Sequence, residues 1–208
     1  MFVPHSNVVV NNVLMRYNAS MMSGAFAWLN QFWSVRRALL RKVATAQELS
    51  LIHVEIIEYL GICNRYSNTM LAVTEYLGQT KGSVSQSLAW LEKRALVLRT
   101  PDKHDKRIVR LALSPKGQEV FKEIHHFMPA SDIASPQAEK EFRRLLELWR
   151  AETGFVGFGV CHSCRYNQKT GSGKFHCGLT HEPLREKEVM QICREHKAAS
   201  VGQSEIHA

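Results

Sequence analysis

The chain has 208 residues, 45% hydrophobic and 22% charged, ordinary proportions for a packed globular protein and enough length to bury a core without disulfides. Its formal charge of +8 excludes an acidic disordered chain and directs attention to polyanionic partners, nucleic acid first. No apolar run approaches the 18 residues or more of a membrane-spanning helix. The segment Met1 to Met15 lacks the early positive charge and small-residue cleavage site of a secretory signal, so the expected location is cytoplasmic.

Residues 1–18 carry few charges and several β-branched residues, which suggests an extended arm. From about Ser20 the spacing turns helical. Phe26, Leu29, Phe32, Trp33, Leu39, Leu40 and Val43 form a stripe opposite Arg36, Arg37, Arg41 and Lys42. A second helix is expected from Leu51 to about Cys63 behind Ser50 as N-cap. A third, capped by Ser67 or Asn68, carries Leu71, Val73, Tyr76 and Leu77 and stops at Gly78. Thr80 opens a fourth running to about Arg94, buried through Val84, Leu88 and Leu91.

The period then changes. Val97 to Thr100 and Ile108 to Leu113 read as short strands around a polar tip, residues 101–106, and so as a hairpin. Ser114-Pro115 starts a helix reaching about Phe127, residues 129–136 break it, and Gln137 to Glu152 is helical through Phe142, Leu145, Leu146 and Trp149. Gly154, Gly157 and Gly159 mark a linker. The expected fold is mainly α with a small β-hairpin wing. Its units are an arm and dimerisation helix (1–50), a winged helix-turn-helix (51–128), a further dimerisation helix (129–154) and a cysteine-rich metal-binding tail (155–208).

Two short helices joined by a tight turn and followed by a hairpin form the arrangement in which the second helix enters the DNA major groove. Charge placement agrees. Seven basic residues against three acidic lie between Glu92 and Arg110, where phosphate contacts would be made. With Val84, Leu88 and Leu91 inward, a 100° step puts Lys81, Gly82, Ser85, Gln86 and Ala89 outward, and Gln86 can bond adenine bidentately. The candidate DNA-binding residues are Thr80, Lys81, Ser83, Ser85, Gln86, Lys103, Lys106, Arg107 and Arg110. The apolar stripes at both ends would be stranded in a monomer, so a homodimer on a pseudo-palindromic double-stranded operator is expected.

The run from Leu51 to Ile124 resembles the MarR family of bacterial winged-helix regulators. The resemblance rests on Ala72-Val73-Thr74-Glu75-Tyr76-Leu77, Gly82-Ser83-Val84-Ser85-Gln86-Ser87-Leu88, Leu91-Glu92-Lys93-Arg94 and Val109-Arg110-Leu111-Ala112-Leu113-Ser114-Pro115-Lys116-Gly117. The family's wing commonly reads Asp-x-Arg-Asp-x-Arg; here it is Asp102-Lys103-His104-Asp105-Lys106-Arg107, with His104 in place of the first Arg. The resemblance implies a dimeric transcriptional regulator.

Four of the five cysteines crowd the tail: Cys161, Cys164, Cys177 and Cys193. A loop-rich segment too small to own a core needs a staple, and a metal centre is the usual one. One Cys-x-x-Cys knuckle with two widely spaced further cysteines suits a cluster, whose irons take ligands from several directions, better than the paired knuckles of a zinc ribbon. The pattern is similar to small high-potential-iron-protein-like domains carrying [4Fe-4S]. His162, His176, His181 and His196 lie close by, so zinc held by a mixed Cys/His set stays open. Cys63, among Leu60, Ile62 and Tyr66 at a helix end, reads as a buried hydrophobe, and a role as peroxide sensor would require a lowered pKa.

The reading that follows is a DNA-binding regulator whose tail senses redox state, oxygen, nitric oxide or iron supply. The alternative is a similar regulator with a structural zinc tail that answers to a small ligand. No nucleophile–base pair, phosphate loop or carboxylate pair recommends an enzyme.

Overall fold

The computed structural model describes residues 24–103, 105–126, 135–155, 157–171 and 173–198. The expected arm, the start of the first helix, the break near 129, His104 and the last ten residues lie outside them. The elements are α1 (Gly24–Ala46), α2 (Leu51–Ile62), α3 (Met70–Leu77), α4 (Lys81–Lys93), the hairpin β1 (Val97–Pro101) and β2 (Val109–Leu113), α5 (Pro115–His126) and α6 (Pro136–Thr153). The fold is a mainly helical winged helix-turn-helix, as expected.

At its centre lies α2. Val54, Ile56, Ile57 and Tyr59 are fully buried and packed with Leu40 and Val43 of α1, Ala72 and Val73 of α3, Val84, Leu88 and Leu91 of α4, and Val120 and Ile124 of α5. A helix apolar on nearly every face is one that others surround. Gly78 at φ 61° ends α3 in the left-handed conformation that Gly adopts freely, and Thr80 caps α4 by accepting from Ser83 N–H at 3.2 Å. The turn between the reading pair is therefore set by two local rules.

One cap differs from expectation. The N-cap of α3 is Thr69, whose hydroxyl accepts from Ala72 N–H at 3.3 Å. Ser67 and Asn68 are engaged elsewhere: Ser67 with Asn64 and Arg194, Asn68 with Leu111 O at 3.0 Å.

The wing pairs Val97 with Leu113 through to Pro101 with Val109. Its root is tied to α5 by Ser114, whose hydroxyl donates to Ala95 O at 2.6 Å and accepts from Gly117 N–H at 3.0 Å. The tail is more ordered than a loop-rich segment. Strands β3 (Gly159–Val160) and β7 (Ile192–Cys193) pair, β4 (Asn167–Lys169), β5 (Phe175–Cys177) and β6 (Glu182–Leu184) form a three-stranded antiparallel sheet, and α7 (Glu186–Val189) precedes β7. Nor does the tail stand apart, because Phe158 is buried in the main core against Tyr59 and Tyr76. No helix of the described residues is long and apolar enough to cross a membrane.

A Cβ at Gly117 would stand 2.1 Å from the Leu96 carbonyl oxygen, a backbone atom that cannot swing away. Gly117→Ala is expected to force β1 off α5 and destabilise the domain by about 1–3 kcal/mol, read as a lower urea midpoint at unchanged slope.

Candidate nucleic-acid interface and four-thiol cavity

Helix α4 presents two faces. Val84, Ser87, Leu88 and Leu91 are buried, whereas Lys81, Gly82, Ser85, Gln86 and Ala89 are exposed. The exposed set coincides with the groove-facing residues expected from a 100° step. Ser83 is half-buried at the N-terminal turn, and the Thr80 hydroxyl is spent on the cap.

At the wing tip Lys103, Lys106 and Arg107 are exposed. Asp102 and Asp105 shape the turn by accepting backbone N–H bonds, and Asp105 also holds the Arg107 guanidinium at 2.9 and 3.0 Å. That pair is solvated and worth little to stability, so Arg107 can exchange it for phosphate.

Arg110 is placed differently from the tip cations. Its side chain is 23% exposed; Nε donates to Asp102 at 2.7 Å, and one terminal nitrogen reaches Arg65 O at 2.9 Å and Asn68 Oδ1 at 3.3 Å. The guanidinium is a strut joining the wing to the turn between α2 and α3. Sequence position alone puts Arg110 among the phosphate contacts, because a strand's inner and outer faces differ by one residue of register.

The second site is a small cavity of about 20 Å³ in the tail, lined by Cys161, Cys164, Cys177 and Cys193 together with Asn64, Tyr66, Tyr166 and Leu184 among others. All four tail thiols reach it. None of the four nearby histidines does. His162 pairs with Glu139 of α6 at 3.1 Å. His196, half-buried, bonds Ser163 Oγ at 3.0 Å, and burial followed by the charge of Arg150 lowers its pKa. His176 alternates with Cys177 along β5 and so points to the other face, and His181 is exposed on a turn.

Burial pushes the Cys161 thiol up to about 12, with the other three tail cysteines adding to the rise. Cys193 is also raised by burial, against which hydrogen bonds from Asn64, Glu195 N–H and Ser67 pull down. Thiols gathered in one cavity are a donor set of the kind that binds a soft metal as thiolates, the metal displacing their protons. Among the described residues no three Cys, His, Asp or Glu side chains close tightly enough to hold a single ion.

Cys63 is outside the cavity lining and buried at the end of α2, its thiol pushed up to about 12 by burial. A raised pKa is the reverse of what a reactive thiol needs.

Sequence reasoning missed how the tail is held. Arg65, at the turn after α2, donates to both oxygens of Glu188 at 2.9 and 2.7 Å and to Glu182 at 3.0 Å. Glu188 is 2% exposed. Burial pushes its pKa up, yet hydrogen bonds from Arg185 and the charge of Arg65 override that and hold it below the ordinary glutamate range. These pairings join residues more than 110 apart, and no local pattern announces them.

Residues 49–117, a third of the chain, match the family model described as a winged helix DNA-binding domain. Among solved structures, a MarR-family transcriptional regulator from Silicibacter pomeroyi is similar at 24% identity and a TM-score of 0.50, covering 62% of this chain and 90% of that one. Others include the Staphylococcus aureus MepR–DNA complex (14% identity, TM-score 0.48, 64% and 97% covered) and CouR from Rhodococcus jostii bound to p-coumaroyl-CoA (15%, 0.47, 64% and 93%). No curated protein matches the chain.

Arg65→Ala is expected to leave the buried Glu188 carboxylate with Arg185 alone, remove the tie to Glu182, and destabilise tail docking by about 1–3 kcal/mol. The depressed Glu188 pKa contributes stability above the unfolded glutamate value, and that contribution is lost as pH falls through the folded one. Limited proteolysis of the wild type should therefore release the tail in acid, and Arg65→Ala should release it already at neutral pH.

Proposed function

We propose that this chain is a MarR-like, homodimeric DNA-binding transcriptional regulator, not an enzyme, whose tail cysteines hold an iron–sulfur centre of the [4Fe-4S] kind that responds to redox state, oxygen, nitric oxide or iron supply. The observation that carries the DNA-binding part is the exposed polar face of α4, with Lys81, Ser85 and Gln86 outward, set beside three exposed cations at the wing tip. A groove-reading helix flanked by a backbone-gripping wing is what that pairing can do.

Dimerisation is supported by apolar side chains that stay exposed among the described residues. Trp28, Phe32 and Trp33 of α1 and Phe142, Leu145, Leu146 and Trp149 of α6 are exposed, and α6 buries no residue at all in the single chain. Phe32 and Phe142 lie 6.3 Å apart, so the two helices offer one continuous face. A second copy laid on it would set the two α4 helices about 34 Å apart, one turn of DNA. The centre is supported by four thiols sharing one cavity from which every nearby histidine turns away. When bound, the iron–sulfur group would supply reversible one-electron chemistry and lability to oxidants; the protein supplies the four thiols and a half-closed apolar wall.

Two substitutions separate base reading from backbone grip. Gln86→Ala should cost about 1–3 kcal/mol at one operator position and leave others unchanged. Arg107→Ala should weaken binding to specific and random duplexes alike and lower the salt slope by about one. A uniform loss for Gln86→Ala, or an unchanged salt slope for Arg107→Ala, would sink those assignments.

For the tail, replacing any one of Cys161, Cys164, Cys177 or Cys193 by Ser should remove most bound metal while the helical core stays folded, and Cys63→Ser should keep it all. Brown anaerobic protein with iron and sulfide is the expected result. Colourless protein carrying zinc would replace the cluster by a structural zinc site.

A further inference from the structure

The winged helix and the tail meet along one polar seam. Asn64 and Ser67, in the turn between α2 and α3, are 1% and 0% exposed. Ser67 Oγ donates to Asn64 Oδ1 at 2.9 Å and accepts from Arg194 N–H at 2.8 Å. Asn64 Oδ1 also accepts from Tyr66 N–H at 3.2 Å, and the Asn64 side chain hydrogen-bonds the Cys193 thiol from the cavity wall. The backbone joins in: Asn64 N–H donates to Ile192 O at 2.9 Å, and Cys63 bridges Ile192. Directly after Cys193, the Arg194 guanidinium grips both carboxylate oxygens of Glu75 at 2.5 and 2.9 Å. Glu75 lies on α3, the helix packed against α4.

Buried polar groups of this kind are costly to leave unpaired. If β7 withdrew, Ser67 would lose Arg194 N–H, Asn64 would lose Ile192 O and the Cys193 thiol, and Glu75 would lose its bidentate clamp. The strand that carries one cavity thiol is thus fixed by three side chains of the DNA-reading unit.

We propose that Asn64, Ser67 and Glu75, although part of the winged helix, are positioning residues of the tail's centre, and that through this seam DNA affinity depends on whether the four thiols are filled. The proposal rests on the functional reading given above. Filling fixes Cys193, which favours the docked seam and the α3 placement that goes with it; emptying removes that preference. A ligand shifts an equilibrium only by its differential affinity for the two states, and the seam is where that difference reaches α3.

The test uses full-length wild type, Glu75→Gln and Arg194→Lys, each purified anaerobically and then stripped with a chelator. Three quantities are measured: affinity for a duplex selected against the wild type from random sequence, metal per chain, and the rate at which the chelator removes metal. Wild-type affinity should differ between filled and stripped forms by about 5–150-fold, the usual range of coupling between sites. Glu75→Gln should start with full metal and wild-type helicity, lose metal faster, and show a filled-to-stripped ratio close to one. Arg194→Lys keeps one charge on Glu75 but not the two-pronged grip, and should fall between the two. A Glu75→Gln protein with wild-type ratio and release rate overturns the seam and leaves the functional reading standing. Wild type that binds DNA equally when filled and stripped overturns both. Should Glu75→Gln fail to fold, Arg194→Lys decides the matter, and a wild-type release rate there counts against the proposal.

Discussion

Residues 158–198 cannot bury enough apolar surface to hold themselves together, and among the described residues their own core amounts to Cys161, Leu184 and Val189 with a few half-buried neighbours. Everything distinctive about the molecule follows from how that shortfall is met. Phe158 packs edge-on against both Tyr59 and Tyr76, the Glu188 carboxylate is sunk against Arg65, and β7 is laid along the turn after α2. Docking supplies the burial that the tail lacks, and it fixes β7 and with it the Cys193 thiol beside the other three.

The same turn serves both halves. Arg110 ties the wing to Arg65 O, while the Arg65 side chain ties the tail through Glu188. Asn68 receives β2 through Leu111 N–H at 2.8 Å, and Ser67 receives the tail through Arg194 N–H at the same distance. Residues 64–68 are a junction at which a wing, a helix-turn-helix and a cysteine-rich segment share hydrogen bonds. Few positions outside a ligand site have so many distant partners, and this one lies a single helix away from α4.

Much of the architecture is legible in the sequence because it is local. Helix periodicity finds α1 to α6, Gly78 and Thr80 mark the reading turn, and the alternation around residues 101–106 finds the hairpin. The spacing of the cysteines points to a shared site and sets Cys63 apart. What is not legible depends on long-range pairing. Ser67 and Asn68 are better caps than Thr69 by residue type, and only the claims of Asn64, Arg194 and Leu111 on those two leave the cap to Thr69. Arg110 reads as one more wing cation until its neighbours turn it inward. Strands of two and three residues, such as β3 and β7, are too short to show any alternation.

The pairing of Asn64 with Ile192 spans a sequence separation far larger than any contact inside the winged helix, and such closures are entropically the most expensive and kinetically the last. Helices α2 to α5 and the hairpin can condense from near-neighbour contacts while the tail is still unplaced. During that interval the pit around Asn64 and Ser67 stands hydrated, and Glu75 is without its arginine. Loop-closure entropy therefore predicts assembly in two stages, the winged helix forming before residues 158–194 are seated upon it. A newly made chain would pass through a form with a complete winged helix and an open junction before its cysteines were gathered.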